Sequence, residues 1–196
     1  MRNVVPIPIG TGVLSWVDIK TGRVRVTEKF KNLVVYEGID LLGKLLAGED
    51  YEINTVYFEF NNGGAIPVVP DPTEGRSYYQ GLETDGDDNH GYLRVGLQGS
   101  PVLSASDTSK FATNRVTFNA SSQGAAGMRG ATAFSAAAGS VVFGIALVSA
   151  PDVDDPTQDI VFSRSYDFTG HIKLVNEEVR IQYSHVFPEE ISSSSA

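Results

Sequence analysis

The chain has 196 residues, of which 41% are hydrophobic, 10% aromatic and 20% charged, an ordinary composition for one globular domain. At this length folding hides about 70% of the surface an unfolded chain exposes, so stability requires neither a disulfide nor a structural metal. The absence of cysteine excludes a thiol nucleophile and a cysteine-based zinc site, and a formal net charge of −9 without a basic cluster argues against a protein that tracks nucleic-acid phosphates.

Three regions are expected: an N-terminal arm at 1–12, a β domain at 13–188 and a C-terminal tail at 189–196. In the arm, Pro6 and Pro8 alternate with Val5, Ile7 and Ile9, which biases the backbone to extended geometry and removes two amide donors. An apolar arm is a liability in water, so Val4, Val5, Pro6, Ile7, Pro8 and Ile9 are assigned to a contact with the chain's own domain or a neighbouring subunit. Val13–Ile19 and Arg23–Phe30 are rich in β-branched and aromatic residues around Lys20-Thr21-Gly22, the pattern of a hairpin. Val24 and Val26 alternate with Arg23, Arg25 and Thr27, predicting one core face and one charged face. Leu33–Tyr36 continues as a strand or leads into a helix.

A helix is predicted over Gly38–Ala47, with Ile39, Leu42, Leu45 and Leu46 as its apolar stripe and Gly48 as its stop. Gly43 in its interior costs about 1 kcal/mol relative to Ala and marks a place where another backbone could come close. Ile53–Phe60 reads as a strand ending at the turn Asn61-Asn62-Gly63-Gly64. From Ala65 to Gly91 the prolines, glycines and aspartates predict a long loop, whose Tyr78-Tyr79 pair offers amphipathic area for an inter-subunit contact. Strands are predicted at Tyr92–Gln98, Arg115–Ala120, Ser140–Val148, Ile160–Phe168 and Glu178–Phe187, with Ser121–Ser140, rich in Ala and Gly, as a further loop. Many short strands and one helix, without βαβ alternation, give an all-β fold: an antiparallel β-sandwich of jelly-roll type.

No chemistry is legible in the motifs. The sequence holds neither G-x-S-x-G nor H-E-x-x-H, nor a phosphate-binding glycine loop. His185 shares the parity of Val179, Ile181, Tyr183 and Phe187, so it reads as a core or interface histidine. Asp85-Gly86-Asp87-Asp88-Asn89 begins like a calcium loop, but His90 and Gly96 occupy the positions that need Gly and Glu, leaving a solvated turn. Asp152, Asp154, Asp155 and Asp159 likewise read as a polar turn, or as charge that orients a basic partner. No catalytic residue, metal ligand or cofactor is expected. The apolar runs are too short to cross a bilayer and the first ten residues lack a secretory core, so a soluble chain is expected.

Asn32-Leu33-Val34-Val35-Tyr36-Glu37-Gly38-Ile39-Asp40-Leu41-Leu42, followed by Leu45-Leu46-Ala47-Gly48, the strand to Phe60 and Asn61-Asn62-Gly63-Gly64, resembles a pattern in small structural proteins of tailed bacteriophages. Ala150-Pro151-Asp152 to Phe162-Ser163-Arg164 and the closing strand Val179–Phe187 share it. The resemblance implies a non-enzymatic virion protein, made in the bacterial cytoplasm and placed on the capsid exterior. Such a capsid decoration or cement protein bridges major capsid protein subunits and associates with itself as a dimer or trimer, without contacting nucleic acid or membrane. A tail, baseplate or fibre-attachment role is the alternative. A carbohydrate-binding sandwich is the third reading, with Trp16, Tyr57, Tyr78, Tyr79 and Tyr92 as stacking rings.

Overall fold

In the computed structural model, residues 10–61, 71–84, 90–99, 102–106, 113–121, 125–130, 141–152, 154–166, 169–174 and 176–188 are described. The fold is all-β and antiparallel, sandwich-like, made by one eleven-stranded sheet that curls into a half-barrel. In chain order the elements are β1 (Gly10–Asp18), β2 (Val24–Val34), α1 (Tyr36–Leu46), β3 (Thr55–Asn61), α2 (Arg76–Thr84) and β4 (His90–Gly96). They continue with β5 (Val102–Ser106), β6 (Thr113–Ser121), β7 (Ala125–Gly130), β8 (Val141–Ser149), β9 (Ile160–Tyr166), β10 (His171–Ile172) and β11 (Glu177–Pro188). Across the sheet the order is β5-β6-β11-β1-β2-β9-β8-β3-β4-β7, with the short β10 pairing beside β8. The curl brings β4 and β6, each next to one end of that order, into contact.

The hairpin forms with Gly22 at φ 68° in the turn, as the sequence predicts, but Val24, expected on the core face with Val26, is exposed because the strand begins there, beyond the edge of the core. Its register runs from Gly10 opposite Asn32 to Trp16 opposite Val26 and then shifts by one residue at Val17. Asp18 fixes the turn, its carboxylate accepting from the amides of Lys20 (3.1 Å) and Thr21 (2.7 Å). β1 starts at Gly10, so residues 10–12 belong to the sheet rather than to the expected arm, whose Val4, Val5, Pro6, Ile7, Pro8 and Ile9 lie outside the described residues.

Strand parity sends side chains to two faces, and both are apolar over part of the sheet. The inner face of the curl holds Trp16, Phe30, Phe58, Phe60, Ile145, Leu147, Phe162 and Tyr183, all buried, with Leu41 of α1 packed among them. Burial of each such side chain contributes about 1.5–3 kcal/mol. The outer face holds a second cluster, Tyr57, Tyr79, Tyr92, Ala146, Val148 and Val161. Where β8 meets β9 the register shifts between Leu147 and Val148, so that Val161 pairs with Val148 and Ser163 with Leu147. The extra residue, Phe162, joins the inner core, and the strand resumes with Arg164 on the outer side.

Three expectations are corrected. Helix α1 begins two residues earlier than predicted and buries Gly38 and Leu41, whereas Ile39 and Leu46 are exposed. The stripe is turned because Gly38 lets α1 lie directly on β9: a Cβ there would stand 1.9 Å from the carbonyl oxygen of Phe162. Within the predicted loop 65–91, α2 forms at Arg76–Thr84, because the outer face of the sheet supplies partners for its side chains, Glu59 for Tyr79 and Tyr92 for Glu83. Within the predicted loop 121–140, β7 forms at Ala125–Gly130 by pairing with β4, a case where a neighbouring edge overrides weak intrinsic preference.

Candidate functional site

Among the described residues, polar side chains are concentrated where α2 covers the outer face of β3 and β4. Tyr57 and Glu59 alternate along β3, Tyr92 and Arg94 along β4, and Arg76, Tyr79 and Glu83 share one side of α2 at i, i+3, i+7 spacing. Three tyrosine rings pack against one another, with Tyr57 4.8 Å from Tyr79 and 4.4 Å from Tyr92, and Tyr79 5.1 Å from Tyr92. Their hydroxyls donate to Asp159, Glu59 and Glu83 respectively.

Each of those carboxylates also meets an arginine. Arg94 grips Asp159 with two parallel bonds of 2.8 Å, the geometry that suits a guanidinium to a carboxylate. Arg76 donates to Glu83 at 2.9 Å and to the carbonyl of Pro156 at 2.8 Å. Arg164 donates to Glu74 at 2.9 Å, has its Nε 3.7 Å from Glu59, and lies over the ring of Tyr78 with 3.6 Å between Cζ and the centroid. From α1, Glu37 accepts the amides of Arg76 (2.8 Å) and Val161 (3.1 Å), tying both helices to β9.

The electrostatics follow from burial. Desolvation, reinforced by the neighbouring carboxylates, holds the phenols of Tyr57, Tyr79 and Tyr92 above their ordinary range, so they stay protonated and act as donors. Desolvation by itself would lower Arg164, but Glu59 and the adjacent tyrosines hold it above its usual value. Every carboxylate in the cluster therefore stands opposite a donor that keeps its proton. The arrangement clamps α2 to the sheet.

A different kind of site occupies the end of the curl formed by the β1–β2 turn and the segment after β10. A cleft of about 430 Å³ opens there, lined by Asp18, Thr21, Arg23, Val24, Arg25, Leu174, Asn176 and Glu177. Glu177 anchors it, accepting from both Arg25 and the amide of Leu174 (2.9 Å), and Arg25 also reaches the carbonyl of Ile172 at 2.8 Å. The hydrogen bond from Arg25 holds the Glu177 carboxyl below the usual carboxylate range. Val24 and Leu174 on its lining are exposed, and so are Ile19 and Ile172, whose backbones bond to the lining residues Asn176 and Arg25.

The residues singled out from sequence fall out differently from expectation. Tyr79 is fully buried in its own chain, so the inter-subunit contact assigned to it is corrected; Tyr78 is half-buried under Arg164. Trp16, Tyr57, Tyr79 and Tyr92 have no exposed face for sugar stacking. Asp159 is no solvated turn residue but a buried partner of the chain's own Arg94, while Asp152 and Asp155 serve the local turn by accepting from the amides of Asp154 and Thr157. Asp85–Asn89 and the side chain of His185 lie outside the described residues. The sequence reading missed Arg76, Glu83, Arg94 and Arg164. The i, i+3, i+7 pattern of α2 was the available signal, masked by the surrounding prolines and glycines.

No protein-family model matches the chain, and neither a curated protein nor a solved structure matches it.

Proposed function

We propose that the chain is a structural protein of a tailed-bacteriophage virion, a capsid decoration or cement protein that bridges neighbouring major capsid protein subunits from the outside of the shell. The observation that carries this reading is the pair of exposed apolar side chains, Val24 and Leu174, on one cleft, with the exposed Ile19 and Ile172 on residues whose backbones bond to its lining. Apolar side chains grouped in water gain free energy when another surface covers them. The charges at the same place, Asp18 and Arg23, give a partner orientation. Glu177, bonded to Arg25 and to the Leu174 amide, ties the β1–β2 hairpin to the segment after β10 and keeps this surface in a fixed shape, which suits a protein whose work is to hold its neighbours.

Modest contacts of this kind become strong when symmetry repeats them, because each further contact is made at high effective concentration. The net charge of −9 favours the exterior, since packaged DNA would repel it on an inward surface. The phage assignment itself rests on the sequence resemblance around Asn32–Gly48 and Phe162–Arg164.

The experiment adds the purified chain to shells lacking it and counts bound copies by cryo-electron microscopy. The reading expects one copy at each symmetry-equivalent position. Val24→Glu and Leu174→Glu, both at exposed side chains, should fold and bind poorly, and removal of residues 1–9 should also lower occupancy. A handful of copies at a single vertex would place the chain in the tail, and binding that ignores both glutamate variants would overturn the assignment of the cleft.

A further inference from the structure

Helix α1 has two apolar faces and uses only one. Gly38, Leu41, Leu42 and Leu45 turn toward the core. On an adjoining face Tyr36, Ile39 and Leu46 are 55%, 41% and 89% exposed, and Gly43 between them has nothing within 4 Å of where a Cβ would stand. Their 3-4-3 spacing confines these four residues to an arc of about 80° at 100° per residue, a seam of the kind that packs against another helix. An open glycine in the middle of such a seam lets a second helix axis come close.

We propose that this seam is a homodimer contact in which α1 packs antiparallel against α1 of a second copy, about a two-fold axis beside Gly43. The inference deepens the expectation that the chain associates with itself by naming the face. The seam is self-complementary, as a two-fold contact demands. With the axis between Leu42 and Gly43, Ile39 of each copy stands opposite Leu46 of the other and the two glycines meet at the crossing.

Charge selects the antiparallel direction. Asp40 and Lys44 lie on the same flank of the seam, and a two-fold axis perpendicular to the helices keeps like flanks together. Asp40 of one copy then stands within about one residue's rise, ~1.5 Å along the axis, of Lys44 in the other, twice per dimer. Lys44 is held in place by the ring of Tyr51, 4.8 Å from its Nζ. A parallel pair would set the charged flank against the apolar one and align the helix dipoles unfavourably.

Sedimentation of the full chain over a concentration series tests this, with circular dichroism as a check on folding. The wild type should dimerise. Leu46→Glu, at a side chain that packs against little of its own chain, should fold and remain monomeric. Asp40→Lys and Lys44→Asp should each weaken association by about tenfold or more through like charges across the axis. Mixing those two variants should restore a dimer, since each then presents the charge the other lacks. A monomeric wild type, an unchanged Leu46→Glu dimer, or mixed variants that stay apart would each overturn the proposal. Shell occupancy is read separately, so failure here leaves the cement reading standing, and failure there leaves the dimer.

Discussion

Two glycines five residues apart in one helix should respond to the same substitution with opposite signs. At Gly43 a new Cβ meets nothing within 4 Å, so Gly43→Ala should only reduce the backbone freedom of the unfolded chain and improve helix propensity, a gain of about 1 kcal/mol. At Gly38 the Cβ would stand 1.9 Å from the carbonyl oxygen of Phe162 and 2.6 Å from its carbon, backbone atoms with no rotamer to escape into. To reach ordinary contact α1 must lift by about 1.5 Å. That movement strains the Val35 amide bond to the same carbonyl (3.2 Å) and withdraws Leu41 from a site where it is fully buried. A stretched buried hydrogen bond together with a loosened core contact costs about 3 kcal/mol. For a chain of this size the expected fall in Tm is about 6–12 °C, against a rise of about 2–4 °C for Gly43→Ala. Calorimetry in the Leu46→Glu background reads folding without association. Equal stability of the two alanine variants, or a destabilising Gly43→Ala, would refute the account of α1 on β9.

The buried Arg94–Asp159 pair should be costly to break on one side only: Arg94→Met leaves the Asp159 carboxylate uncompensated and should lower stability by about 3–5 kcal/mol in denaturant unfolding, while adding Asp159→Leu should recover much of the loss. The buried tyrosines predict a sharp alkaline limit. Tyr57, Tyr79, Tyr92 and Tyr183 have phenols raised by burial above the unfolded value of about 10, so their contribution is complete below that pH and is lost as pH climbs toward the folded values. Each should cost about 1.4 kcal/mol per pH unit above 10, and ultraviolet titration should show these four ionising only as the chain unfolds. Smooth titration of all eight tyrosines in the folded protein would contradict it.

The sequence alone determined the local parts. Strand alternation, the Lys20-Thr21-Gly22 turn and the absence of βαβ spacing were enough for an antiparallel all-β fold, because a period of two and a residue tolerant of positive φ are properties of neighbours in the chain. The existence of α1 was legible for the same reason, from a run of leucines stopped by Gly48, which sits at φ 80°. Which side of α1 is buried was not, since Gly38 takes its meaning from a carbonyl on β9 more than a hundred residues away. Helix α2 and strand β7 depended likewise on partners distant in sequence: Arg76 and Tyr79 hold their places through Glu37, Pro156 and Glu59, and Ala125–Gly130 is a strand because β4 offers an edge. Asp159 looked like part of a solvated acidic turn until the curl of the sheet set Arg94 and Tyr57 against it. Local backbone preference acts over a few residues and can be read from them, whereas burial and ion pairing are decided by whatever the folded sheet brings alongside.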